Sequence, residues 1–105
     1  MEIVYASLIP RQPGGAVQSN GRAEVMDALW AHSVPSDGLQ HISARPEPGR
    51  VDLLLYLLTL DSPGTPNAVE RARTLITRSH QSSPWLNLNY LPPVPLTAHE
   101  GLDAC

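Results

Sequence analysis

The sequence predicts an α+β fold of the ferredoxin-like β-α-β-β-α-β kind, a four-stranded antiparallel sheet with two helices on one face. Three observations predict it. The stretch Arg50–Leu60, RVDLLLYLLTL, is apolar on both of its alternating faces apart from Asp52, as a strand covered on both sides is. Segments of helical periodicity lie before and after it. The segments also follow one another as strand, helix, strand, strand, helix, strand, which is two split β-α-β units. In that layout the first and third strands are central, where a strand buried on both faces belongs.

Glu2–Ile9, EIVYASLI, is rich in β-branched and aromatic residues and stops at Pro10, as a first strand would. Arg11–Ser19 has the Pro and Gly content of a loop. Its Gly14-Gly15 pair lacks both the lysine of a P-loop and the G-x-G-x-x-G spacing, so it reads as a plain connection. Asn20–Ser33 reads as a helix capped by Ser19 or Asn20, with Ala23, Met26, Leu29 and Trp30 at helical spacing. Val34–Gly38 stops it and turns the chain.

Leu39–Arg45, LQHISAR, alternates weakly and is polar, which suits an edge strand. Pro46–Gly49 turns it into Arg50–Leu60 as an antiparallel hairpin. Thr65 as N-cap and Pro66 at the first position start a second helix, Pro66–His80. Its buried stripe is Ala68, Val69, Ala72, Leu75, Ile76 and Ser79, with Arg71, Arg73 and Arg78 mostly on the solvated side. Trp85–Leu91, WLNLNYL, alternates strictly and is predicted as the last strand, ended by Pro92-Pro93. Residues 1–91 then make one domain, and Pro92–Cys105 a Pro-rich tail or arm without periodicity.

Composition narrows the function. A chain of 105 residues is one domain with a single core. A net charge of -3 argues against a nucleic-acid surface, which needs a basic stripe. All 7 basic residues are Arg and there is no Phe, as GC-rich bacterial coding would give. The single cysteine, Cys105, excludes an internal disulfide framework and a cysteine-built metal site. The apolar runs are too short for a membrane helix, which takes about 20 residues, and no N-terminal signal pattern is present. A soluble cytoplasmic protein is the expectation.

The sheet face away from the helices carries the functional argument. Whichever parity the strands adopt, three or four large apolar side chains sit there. Leaving each in water forgoes roughly 1.5–3 kcal/mol, which together approaches a small domain's net stability of about 5–15 kcal/mol. A cover is therefore expected. The candidate ligand or interface residues are Tyr5, His41, Leu54, Tyr56, Leu58, Trp85, Asn87 and Asn89.

The expected function is a non-enzymatic interaction module. It would form a homodimer or dock a partner protein through that face, helped by the tail, with Trp85, Tyr56, Leu54, Leu58 and Leu60 as anchors. The rival reading is a small-molecule-binding protein or cofactor-free enzyme of the dimeric α/β-barrel type. There His41, Tyr56, Trp85, Asn87 and Asn89 would line a pocket. His41, Ser43 and Arg45 alternate along one strand as a polar site would, and equally as any edge strand does. No catalytic residue, cofactor or metal site is assigned. Asp37, Asp52 and Asp61 make no acid–base pair, the serines lack a G-x-S-x-G elbow, and His32, His41, His80 and His99 lack ligand spacing.

Overall fold

Strand β3 (Arg50–Leu57) runs through the middle of the sheet, antiparallel to β2 (Leu39–Glu47) on one side and to β1 (Glu2–Leu8) on the other. The computed structural model describes residues 1–11, 21–60, 62–93 and 97–98. A two-residue segment, β4 (Thr97–Ala98), pairs with Val4 and Tyr5 on the outer side of β1. The helices are α1 (Gly21–Ala31), α2 (Ala68–Ser82) and the short α3 (Pro84–Asn89). A single 3-10 turn, Pro35–Asp37, links α1 to β2.

One face of the sheet is dry. Val51, Leu53, Leu55 and Leu57 of β3 are fully buried, with Val4, Ala6 and Leu8 of β1 and Ile42 and Ala44 of β2 beside them. They meet Val25 and Leu29 of α1 and Ala68, Ala72, Leu75 and Ile76 of α2 in one core. Each buried Val, Leu or Ile contributes roughly 1.5–3 kcal/mol, so this layer holds the fold.

The four-stranded ferredoxin-like sandwich is not what forms. The molecule is α+β with three full-length antiparallel strands, and the segment predicted as its last strand, Trp85–Leu91, is mostly α3. The local cause is a helix start that outweighs the alternation. Pro84 takes the first helical position and the Ser83 hydroxyl accepts the Leu86 N–H at 3.2 Å. Leu86 and Tyr90, four apart, then share the buried side. Leu88, which a strand would have placed beside Leu86, is 73% exposed. Beyond α3 the chain runs along the end of β1, where the Leu91 N–H donates to the Ile9 carbonyl at 2.8 Å.

Three smaller corrections have equally local causes. Helix α2 is capped by Asn67, whose side chain accepts the Glu70 N–H at 2.8 Å, and not by Thr65. The α1 stripe is Val25 and Leu29 flanked by Met26 and Ala28, leaving Ala23 and Trp30 exposed. Arg71 is buried, because its fork satisfies three carbonyls: Nε donates to Pro66, Nη1 to Asp37 and Nη2 to Leu58. Gly38 makes room for it. At φ 71 it adopts a left-handed turn, and a Cβ there would lie 2.8 Å from Arg71 Nη1.

Candidate functional site

The second face of β3 settles the strand parity. Asp52, Leu54 and Tyr56 point away from the helices and are half-buried. The register aligns them with their neighbours in three rows. Ile3, Tyr56 and His41 form the first, Tyr5, Leu54 and Ser43 the second, Ser7, Asp52 and Arg45 the third. The apolar members lie outside the core cluster. Leu58 follows beyond the strand end and is exposed.

The first two rows are mainly apolar and aromatic, with the polar His41 and Ser43 at their β2 ends. The His41 and Tyr56 rings stack at 5.2 Å with a 55° tilt, a geometry aromatic pairs favour. The third row is a polar network. The Tyr5 hydroxyl donates to Asp52 Oδ1 at 2.9 Å, and Ser7 Oγ lies 2.8 Å from the Tyr5 oxygen and 3.2 Å from Asp52 Oδ1. Arg50 Nε donates to the same oxygen at 2.7 Å. Partial burial alone would raise the Asp52 pKa. The hydrogen bonds from Arg50, Tyr5 and Ser7 outweigh it and hold the carboxyl below the usual range. A general base works best with a pKa near the working pH, and Asp52 is drawn the other way. Arg45 and Glu47 add an exposed ion pair at 3.7 Å, worth about 0–1 kcal/mol.

Of the residues predicted for this face, Tyr5, His41, Leu54 and Tyr56 come together on it, with Leu58 at its end. Trp85, Asn87 and Asn89 do not, because α3 carries them to the helix layer. Trp85 packs against the core and lies 5.8 Å from the Tyr90 ring. The Asn87 and Asn89 amides donate to the His80 and Trp85 carbonyls at 3.5 and 2.7 Å. Ile3, Arg50 and Asp52 are the face residues missing from the sequence prediction, while Ser7 joins Tyr5 there as one of the two strand parities requires. Asp52 is the lone polar interruption of an apolar strand, which is the signal that its face is the wetter one.

Most other buried polar groups are occupied in holding the fold, the Ser79 hydroxyl being without a partner among the described residues. His80 is buried and its Nε2 donates to the Tyr90 carbonyl at 2.9 Å, which fixes the tautomer because a carbonyl only accepts. Burial pushes the Tyr90 phenol above its ordinary 10.0. Among the described residues, no three His, Cys, Asp or Glu side chains converge. Gly14-Gly15, His99, Cys105 and most of the tail lie outside the described residues, and so does Asp61. Of the tail, Pro92, Pro93 and Thr97–Ala98 are described, and Thr97–Ala98 lies on the edge of β1.

Two open-sided hollows flank β2. One of about 390 Å³ lies between the α1–β2 connection and Leu58. One of about 420 Å³ lies between α1 and the outer side of β2, lined by Arg22, Met26, Asp27 and the segment His41–Ala44. No helix of the described residues is long and apolar enough to cross a membrane. No protein-family model matches the chain, and no curated protein or solved structure is significantly similar to it.

Proposed function

We propose that the protein is a non-enzymatic interaction module, with the open sheet face as its docking surface and a second copy of the chain as its first occupant. The observation that carries this is the group Ile3, Tyr5, Leu54 and Tyr56, aligned in two neighbouring rows with His41 and Ser43 at their β2 ends, on a face opposite both long helices. Burying such side chains contributes roughly 25 cal/mol per Å² of apolar surface removed from water, and the aromatic members are the kind that anchor interfaces. The polar end does not oppose the same occupant. It carries both signs in equal number, Arg45 and Arg50 beside Glu47 and Asp52, so it brings no net charge to the contact. The described tail segment Thr97–Ala98 pairs with β1 at the border of this face.

Sedimentation of the intact chain and of Leu54→Glu tests the reading. Leu54→Glu puts a charge at the centre of the face and should weaken association by about 2 kcal/mol or more, while the thermal melt stays cooperative. Tyr56→Phe should matter little, because only a hydroxyl is lost. Equal association of Leu54→Glu and the parent chain would refute the reading.

A further inference from the structure

The open face is patterned across its strands as well as along them. Its large apolar side chains, Ile3, Tyr5, Leu54 and Tyr56, belong to β1 and β3, and the register pairs Ile3 with Tyr56 and Tyr5 with Leu54. All four are half-buried. The β2 members of the rows are His41, Ser43 and Arg45. On the other flank, β4 pairs with Val4 and Tyr5. The apolar group therefore sits at the middle of the sheet order β2-β3-β1-β4, on the seam between β3 and β1. Along the strands it stops at the row of Ser7 and Asp52, where the Asp52 side chain is 20% exposed.

We infer that two copies meet about a two-fold axis running along this seam, parallel to the strands, which rests on a second copy being the occupant of the face. A two-fold dimer uses the same patch on both subunits, so each possible axis fixes every contact. An axis across the strands, at the Tyr5–Leu54 row, lays the Ile3–Tyr56 row over the partner's Ser7–Asp52 row. Apolar surface then covers a carboxylate and draws it out of water, which is unfavourable. An axis along β3 sets the two Asp52 carboxylates opposite each other and turns Ile3 and Tyr5 onto the polar His41 and Ser43. The seam axis puts Ile3 over the partner's Tyr56, Tyr5 over the partner's Leu54 and Ser7 over the partner's Asp52. Apolar meets apolar, a hydroxyl meets the carboxylate, and no like charges in these rows are directly opposed. His41, Ser43 and Arg45 are left at the border, which matches an apolar interface centre with a polar rim. The two sheets lie with their strands aligned, as stacked sheets do within about 30°.

Isotope-filtered NMR on an equal mixture of labelled and unlabelled full chain reads contacts between copies alone. The expected contacts are from the Ile3 methyls to the partner's Tyr56 ring, and from the Leu54 methyls to the partner's Tyr5 ring. Contacts of Ile3 with the partner's Ser7 place the axis across the strands, and contacts of Ile3 with the partner's His41 place it along β3. Either set overturns the seam axis while leaving the face as the docking surface. A chain that stays monomeric, or associates without contacts on this face, overturns both. Two variants read the same arrangement by sedimentation, with the thermal melt reporting an intact fold. Tyr5→Ala should weaken association at least about tenfold, and Ser43→Glu at the rim by less than about threefold. The opposite order would overturn the seam axis.

Discussion

Arg78 places two guanidinium nitrogens on the Asp37 carboxylate, Nη1 at 3.0 Å from Oδ2 and Nη2 at 3.3 Å from Oδ1. Nη1 also donates to the His32 carbonyl at 2.8 Å, and Asp37 Oδ2 accepts the Val34 N–H at 2.8 Å. One ion pair therefore ties α2 to the end of α1 and to the 3-10 turn that leads into β2. Arg71 binds the same turn through the Asp37 carbonyl.

Asp37→Ala should destabilise the fold by about 3 kcal/mol, the low end for breaking a buried pair, because Arg78 can regain water. Arg78→Met should cost at least as much, since it strands a carboxylate whose side chain is only 5% exposed. The double variant should cost less than the sum. Chemical denaturation of the three variants checks this, and strict additivity would mean that the pair is not coupled.

Asp52 sets an acid limit. Its folded pKa lies below the 3.8 of the free carboxylate. The stabilisation is therefore complete above pH 3.8 and is lost as pH falls through the lower folded value. The Asp52 carboxyl carbon, followed by NMR, should titrate below 3.8 in the parent chain. Tyr5→Phe and Arg50→Gln should each move it upward, because each removes a donor to the ionised form.

Helix α3 should behave as a structural element. Ser83→Ala should cost about 1 kcal/mol, as loss of an N-cap does. Trp85→Ala should lower the melting temperature through lost packing on Tyr90 and leave self-association unchanged. Weaker association at unchanged stability would return Trp85 to the interface.

The strand–helix–hairpin–helix course was legible because each element repeats its signal over many residues. Val51, Leu53, Leu55 and Leu57 stand behind Leu54 and Tyr56, as a strand apolar on both faces requires. The last segment was not legible. WLNLNYL satisfies period two over a few residues, and its helix is decided by Ser83 and Pro84 outside that window. Arg71 was misplaced for a related reason. Helical spacing assigns it to a face, but its burial depends on carbonyls of Asp37 and Leu58, far away in sequence. On the face, Tyr5, His41, Leu54 and Tyr56 were recoverable from strand alternation, whereas Trp85, Asn87 and Asn89 followed the misread strand.

The most direct test of the docking face is the solvent accessibility of Ile3, Leu54 and Tyr56, read with a soluble paramagnetic probe across a concentration series. The expected result is that all three side chains are open to the probe in dilute solution and become shielded together as the chain associates. Leu54→Glu should keep them open throughout. Side chains that stay equally accessible at every concentration, in a folded parent chain, would contradict the account.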